Sequence, residues 1–421
     1  MRKYRIRGGN RISGVLRVGG GKNAALPILA ATLLAEGESI IHNCPDIADI
    51  RFSVEILRHL GCRVNFEENT LNVNATNITN AKLPTDLVCK MRSSILFMGA
   101  LLGRCREVEI ASPGGCQIGA RPIDLHISGF QKMGVSITEN GDLMHAKSPS
   151  LTGAWIYLRD VSVGATENLL LAAVLAEGET VLVNAAREPE IVDLAKFLIS
   201  MGANIRGAGT STLKIMGVKR LQAATHRIMP DRIVTGTYLL AAAMTRGDLT
   251  LTHVNPYDIS AVTAQLRTMG CQITEHPAQI RLHAPHRLTA IPHLITEAHP
   301  GFPTDMQAPF VAALATAKGT SVVEERIFEA RAAHATELNR MGARIILAAD
   351  NRVFVIKGRE KLYGTSVNSH DLRGGAAMVL AALAAEGETI VHDPGYIARG
   401  YDDIAGALCA VGGDVGEVNL S

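Results

Sequence analysis

Along this chain, nearly unbroken apolar blocks alternate with amphipathic blocks of helical periodicity and with short alternating stretches. The amphipathic blocks end six times in Gly followed by a strand-like stretch: LRHLGCRV (Gly61), FQKMGVSI (Gly134), FLISMGANI (Gly202), QLRTMGCQI (Gly270), LNRMGARI (Gly342) and LCAVGGDV (Gly412). The spacings are 73, 68, 68, 72 and 70 residues, the mark of one structural unit used repeatedly. Each Gly suits the left-handed position just past a helix. An earlier helix in each unit also ends in a small turn and a strand, as in LLAEGESIIHN, VLAEGETVLVN, MTRGDLTLTHV, TAKGTSVVEE and LAAEGETIVHD, and more loosely in GRCREVEIAS. Each unit of about 70 residues thus reads as helix, strand, helix, strands.

Six units exceed what one hydrophobic core usually serves, so the pattern predicts an α/β protein of two domains with three units each. The boundaries fall near Gly19–Gly21 and near residue 229. One domain then covers 22–229 and the other 1–21 plus 230–421, with residues 1–21 read as a strand joining the C-terminal half.

The first helix of each unit opens on polar residues and is apolar thereafter: GGGKNAALPILAATLL (Lys22, Asn23), CKMRSSILFMGALL (Arg92), SVGATENLLLAAVL (Ser162, Gly164), PDRIVTGTYLLAAAM (Asp231), PTDMQAPFVAALA (Asp305) and DLRGGAAMVLAAL (Asp371, Arg373). Such helices are buried for most of their length. Their N-termini, with free N–H groups and the positive dipole end, suit an anion. If both domains aim three of them at one cleft, that cleft is electropositive, with Lys22, Arg92, Arg121 and Arg373 as donors and a phosphate or carboxylate as the expected ligand. A plainer reading stands beside it. Thr304-Asp305-Met306-Gln307 also matches a capping box, and Lys22 after three glycines also suits a solvated turn.

Composition narrows the field. The 421 residues are 47% hydrophobic but only 4% aromatic, with 40 Gly and a net charge of +2. That balance argues against a nucleic-acid surface. The first residues carry charge without an apolar stretch, unlike a signal peptide, and the largely apolar run Ala24–Ala35 is too short to span a bilayer. Seven scattered cysteines (44, 62, 89, 105, 116, 271, 409) form no CxxC pair, against a disulfide frame or a zinc site. The expectation is a soluble, cytoplasmic protein without metal or cofactor. VGGGKN lacks the leading Gly of a Walker loop and has Asn23 where Ser or Thr is needed. GxGxxG after a strand and HExxH are both missing. Cys116 sits in PGGCQIGARP, where a cysteine is ordinarily a small buried apolar residue.

GGKNAALPILAATLLAEGE, MRSSI, PGGCQIGARPIDLHI, VSVGATEN, AAREPEIVDLAKFL, PTDMQA, IFEAR, DLRGGAA and RGYDDI occur in this order along the whole chain. They resemble the UDP-N-acetylglucosamine 1-carboxyvinyltransferase family of enolpyruvyl transferases. The resemblance implies a two-domain inside-out α/β barrel of six repeated units, with the active site in the cleft between the domains. The implied reaction moves the enolpyruvyl group of phosphoenolpyruvate to the 3′-hydroxyl of UDP-N-acetylglucosamine and releases phosphate, the first committed step of peptidoglycan precursor synthesis. It also implies a monomer or weak homo-oligomer with small-molecule partners only.

Residue by residue, the resemblance makes Cys116 the proton donor, able to add covalently to phosphoenolpyruvate, on a loop with Gly114, Gly115 and Gly119. Asp305 becomes the base for the sugar hydroxyl. Lys22, Arg121 and Arg399 face phosphate, Arg331 and Arg373 lie nearer the carboxylate, Asn23 also binds phosphoenolpyruvate, and Lys22 and Arg399 join Cys116 and Asp305 as catalytic residues. UDP-N-acetylglucosamine would lie along Arg121, Pro122, Ile123, Asp124 and Leu125 and along Val161, Ser162, Val163 and Gly164, with Arg92, Asp305 and Ile327 nearby. The same thiol would be alkylated by the epoxide fosfomycin. Cys44, Cys62 and Cys271 read as core, and His126 as packed or solvent-facing.

Three departures bear on the acceptor: Ala332 and Ala333 after Arg331 leave a thin wall where the family has a bulky side chain, Gly374 stands where Ala is usual, and Asp160 fills a position that is lysine in some members. A paralogue acting on another sugar nucleotide is the alternative within this reading. The shikimate-pathway enolpyruvyl transferase shares the architecture but not the loop cysteine. A silent sugar-nucleotide binder would bind without releasing phosphate.

Overall fold

The computed structural model describes residues 2–114, 118–119 and 122–419. Cys116, Arg121 and Gly115 lie outside the described residues. The chain divides into two units, one holding 20–114 and 122–229, the other holding 2–19, 118–119 and 230–419. Ile118 and Gly119, expected with the first domain, group with the second instead. The Ala330 N–H donates to Ile118 O at 3.1 Å. Gly119 (φ 137°) lies so near Glu329 that a Cβ would come within 2.6 Å of its carboxylate.

In each unit three apolar helices form the interior. In the first they are Lys22–Ala31, Leu96–Cys105 and Val163–Ala173; in the second, Arg232–Met244, Gln307–Leu314 and Leu372–Ala384. All eight residues of Gln307–Leu314 are buried, as an apolar-all-round helix must be. Close crossing needs small residues. A Cβ on Gly99 would overlap the backbone of Asn168 on the neighbouring helix, whose Oδ1 accepts from the Gly99 N–H at 2.7 Å. The six helix-ending glycines 61, 134, 202, 270, 342 and 412 all have positive φ. The earlier turns use Gly37, Gly178, Gly319 and Gly387, but Arg106 and Arg246 adopt the same left-handed conformation in the other two repeats. That is why GRCREVEIAS looks loose as sequence yet folds alike.

Each repeat places its strands in a sheet flanking the helices, mixed except for the antiparallel three-stranded sheet of Glu107–Ala111, Leu143–Lys147 and Ser136–Asn140. In the first unit Glu38–His42 pairs antiparallel with Thr70–Asn74, which pairs with Arg63–Glu67. The parallel partner of Glu38–His42 is Thr225–Arg227, from the chain leading into the other unit. Reciprocally, Gly14–Arg17 precedes the Lys22–Ala31 helix but pairs in parallel with Asp248–Thr252 of the second unit. Each unit is therefore completed by a strand from the segment entering the other. The last repeat lacks its final hairpin partner, and Arg2–Arg7 supplies it, antiparallel to both Glu388–Asp393 and Asp414–Asn419. Cys44, Cys62 and Cys271 are buried; burial pushes the Cys62 thiol up to about 11 and that of Cys271 to about 12.

Candidate active site

In the unit holding residues 20–229, the three interior helices begin with Lys22, after the 3-10 turn Arg92–Ile95, and after Ser162. Only Ser162 of these caps with a side chain, its Oγ accepting from the Ala165 N–H at 3.2 Å. Lys22 Nζ lies 2.7 Å from Asp49 Oδ2, with Asp49 fully buried. Asn23 beside it is half-buried. Arg92 Nη1 donates to Pro113 O at 3.4 Å, at the entrance of the loop whose Gly114 packs directly on the Cys89 backbone.

Asp124, at the start of the Asp124–Lys132 helix, is held by Arg159 Nη2 at 3.2 Å, while Arg159 Nε takes Asp160 Oδ2 at 2.8 Å. Arg159 is thus a cation beside the Val161–Gly164 segment that the sequence analysis passed over. Pro122 is exposed and Ile123, Leu125, Val163 and Gly164 are half-buried; Val161 is exposed. His126 is packed: its Nδ1 lies 2.9 Å from Asn168 Nδ2, and Asn168 also donates to Ile95 O. Because the amide nitrogen only donates, Nδ1 accepts and the imidazole proton sits on Nε2. Three further acids, Glu167, Glu188 and Glu190, are buried in this unit. Burial, then Glu190 and Glu188, push the Glu167 carboxyl well above its usual range.

The other unit is organised around carboxylates. Asp231 Oδ1 accepts from the Ile233 and Val234 N–H groups, and Asp371 Oδ1 from those of Arg373 and Gly374. These two helix starts therefore already hold an anion, which corrects the expectation that every opening is an anion site. Gly374 gives that cap room, since a Cβ there would meet Asp371 Oδ2 at 2.8 Å. The expected capping box at Thr304 does not form. Its hydroxyl is taken by Glu325 Oε2 and Arg331 Nη1, both at 2.8 Å.

Asp305 is clasped from both sides. Arg331 Nη2 reaches Oδ1 at 2.9 Å and Arg373 Nη2 reaches Oδ2 at 2.8 Å. Both arginine side chains are 3% exposed, Asp305 24%, so the carboxylate is the accessible member of an otherwise buried cluster. Burial alone would push the Asp305 carboxyl up, but Arg373 and Arg331 outweigh it and hold it well below the usual carboxylate range. The same pairing raises Arg373 against the opposing effect of burial. Arg331 Nε and Arg373 Nη1 are buried without hydrogen-bond partners, donors that an anionic ligand would satisfy. The Phe328 ring lies 5.4 Å from the Arg331 guanidinium. Ala332, expected to leave a thin wall after Arg331, is buried. Ile327 is exposed and its N–H is anchored on Glu325 Oε1 at 2.8 Å. Arg399 ends the 3-10 turn Ile397–Arg399, half-buried. His334, fully buried against Phe354, has both ring nitrogens unpartnered. Burial pushes it down to about 4, with Arg331 and His370 adding to that and Asp371 opposing.

Of the expected set, then, Asp305, Arg331 and Arg373 form one contact cluster, Lys22 has Asp49, and Asp124 has Arg159. Thr304, Glu325 and Phe328 were missed. Among the described residues, no three His, Cys, Asp or Glu side chains gather as a metal would require. Nor is any helix long and apolar enough to cross a membrane.

Residues 6–408 match the family model described as EPSP synthase (3-phosphoshikimate 1-carboxyvinyltransferase). A protein of Caldanaerobacter subterraneus subsp. tengcongensis named UDP-N-acetylglucosamine 1-carboxyvinyltransferase 2 is 47% identical over 415 residues, 99% of each chain. Symbiobacterium thermophilum has two such relatives, numbered 2 and 1 under that name. The first is 46% identical over 99% of this chain and 98% of its own. The second is 47% identical over 99% and 95%. Among solved structures, the enolpyruvyl transferase NikO from Streptomyces tendae superposes with a TM-score of 0.89 at 26% identity, covering 100% of this chain and 99% of its own. An EPSP synthase from Acinetobacter baumannii gives 0.77 at 18% identity over 100% of both chains, a likeness of fold.

Proposed function

The chain belongs to the EPSP synthase (3-phosphoshikimate 1-carboxyvinyltransferase) family, and on that footing we propose that it is the enolpyruvyl transferase acting on UDP-N-acetylglucosamine. It transfers the enolpyruvyl group of phosphoenolpyruvate to the 3′-hydroxyl and releases phosphate. The observation that carries this reading is 46–47% identity, over 99% of the chain, to relatives bearing that enzyme's name. The fold, with its two three-repeat units, agrees with it.

In this reading Asp305 takes the proton of the 3′-hydroxyl as its oxygen bonds to C2 of phosphoenolpyruvate, and the Cys116 thiol protonates C3. When the tetrahedral adduct collapses, C3 returns its proton, the C2–phosphate bond breaks, and phosphate leaves. Asp305 between two guanidiniums is a poor base at rest, because its anion is strongly stabilised. The carboxylate and phosphate of phosphoenolpyruvate compete for those guanidiniums, through Arg331 Nε and Arg373 Nη1 first. As they do, Asp305 loses its partners and gains basicity when the acceptor is in place. Lys22, Arg121 and Arg399 stabilise the charge that grows on phosphate. The residues around Ser162–Gly164 and Pro122–Leu125, with Arg92 and Ile327, hold the sugar nucleotide.

The test is phosphate release from phosphoenolpyruvate with UDP-N-acetylglucosamine, without it, and with shikimate 3-phosphate. Release that requires UDP-N-acetylglucosamine is expected. Release with shikimate 3-phosphate, or none despite tight nucleotide binding, would overturn the assignment.

A further inference from the structure

Glu325 follows the Thr320–Glu324 strand and is fully buried. Among the described residues, no arginine side chain forms a hydrogen bond or ion pair with it. Instead its carboxylate gathers four donors from three separate segments. Oε1 accepts from the Thr296 hydroxyl at 2.9 Å, the Ile327 N–H at 2.8 Å and the Phe328 N–H at 3.1 Å. Oε2 accepts from the Thr304 hydroxyl at 2.8 Å.

The direction of that last bond is fixed by chemistry. Thr304 Oγ1 also lies 2.8 Å from Arg331 Nη1, and a guanidinium can only donate. The hydroxyl must therefore accept from Arg331 and give its one proton to Glu325. The same logic applies to Thr296, whose Oγ1 accepts the Arg326 N–H at 2.9 Å and donates to Glu325. Glu325 thus reaches the Arg331 guanidinium by two routes. One runs through Thr304. The other runs through the 327–328 backbone, which sets the Phe328 ring 5.4 Å from the guanidinium. With Nη1 held this way, Nη2 is left aimed at Asp305.

We propose that Glu325 is a positioning residue for the transfer reaction: its carboxylate orients the Thr304 hydroxyl so that Arg331 is held in register with Asp305 and presents its free Nε to the substrate anion. The inference rests on the reading of Arg331 and Asp305 as part of the reacting site. Neither Glu325 nor Thr304 touches the substrate in this scheme. What they supply is the precision of one guanidinium, and displacement of such a group by about 1 Å costs on the order of a hundredfold in rate.

Glu325→Gln separates the two duties of the carboxylate. The amide oxygen keeps the Thr296, Ile327 and Phe328 bonds, while the amide NH2 faces Thr304 as a donor and leaves the Thr304 proton without its acceptor. UDP-N-acetylglucosamine-dependent phosphate release is expected to fall about 10- to 100-fold in kcat, with the KM for UDP-N-acetylglucosamine unchanged and the cooperative melt kept. Thr304→Val should give the same loss, Thr304→Ser should recover most of it, and the double variant Glu325→Gln/Thr304→Val should be no worse than either single, because both act on one link. The proposal is overturned if Glu325→Gln turns over within twofold of wild type, or if the two losses multiply in the double variant. Should Glu325→Gln fail to fold, the contrast between Thr304→Val and Thr304→Ser decides alone, and equal activity of those two overturns the proposal. Absence of acceptor-dependent release in the wild-type protein is a separate result, and it removes the functional reading itself.

Discussion

The two units are built from the same repeat three times over, yet their interior helices open on opposite chemistry. In the unit of residues 20–229 the openings carry Lys22, Arg92 and Ser162, and only Ser162 caps a helix N–H with its side chain. In the unit of residues 230–419 the same places carry Asp231, Asp305 and Asp371, two of them as helix caps and the third between two arginines. A helix N-terminus favours an anion. In one unit the openings carry cations and a hydroxyl, and in the other carboxylates of the chain itself satisfy that preference. The lesson is that the repeat fixes where side chains can meet a substrate, while single residues at each opening decide whether the place binds charge or moves a proton.

Substitutions at the openings break this contrast to different degrees. Among the openings of the first unit, Lys22→Met should cost most. It removes a cation from the phosphate and leaves Asp49 buried without it, so kcat/KM for phosphoenolpyruvate should fall about 10²- to 10³-fold in steady-state kinetics. Urea unfolding should show a stability loss of about 3 kcal/mol.

The acid response belongs to the other unit. His334 is neutral when folded, with its titration pushed down to about 4, whereas the unfolded chain takes that proton near pH 6.5. The His334 contribution to stability is therefore full above about pH 6.5 and declines as pH falls toward 4, by about 3 kcal/mol in total, while Glu167, held protonated by burial, has the opposite slope. Asp305 adds its own loss only below about pH 4, where the unfolded carboxylate protonates while the arginines keep the folded one ionised. Denaturation curves from pH 7 to 4 should flatten in His334→Phe, whatever that change does to stability at pH 7; an unchanged slope would remove His334 as the cause.

Arg331→Lys keeps the charge but loses the fork that spans Thr304 and Asp305. A drop in kcat of about 30-fold, roughly 2 kcal/mol, is expected from single-turnover rates. The caps give the smallest effects. Asp371→Ala should cost about 1 kcal/mol of stability without moving the KM for UDP-N-acetylglucosamine, while Ser162→Ala should raise that KM about fivefold. The reverse pattern would erase the distinction between the units.

Much of the architecture was legible because sterics leave traces. A left-handed residue past a helix selects Gly, and six such glycines at regular spacing gave away the repeat. Arg106 and Arg246 occupy equivalent turns without that signature, since those turns tolerate a side chain at some cost. The pairing of Gly14–Arg17 with Asp248–Thr252 and of Thr225–Arg227 with Glu38–His42 left no local trace, because strand partners are chosen by distant sequence. In the candidate site, the arginines and Asp305 stood out through motif wording, but their pairing did not. Glu325 was hidden most fully. EER reads as a solvated charge run, and the hydroxyls of Thr296 and Thr304, 29 and 21 residues earlier, join the Ile327 and Phe328 N–H groups in making its burial tolerable.

The account turns on Asp305 being a base that its arginines restrain until substrate takes them. The direct test is Asp305→Asn, assayed for UDP-N-acetylglucosamine-dependent phosphate release and for binding of the sugar nucleotide by calorimetry. Turnover lower by about 10³-fold or more, with the sugar nucleotide bound within about tenfold of wild type, is the expected result. Turnover within tenfold of wild type would contradict it, because Asp305 would then be only the counter-charge of Arg331 and Arg373.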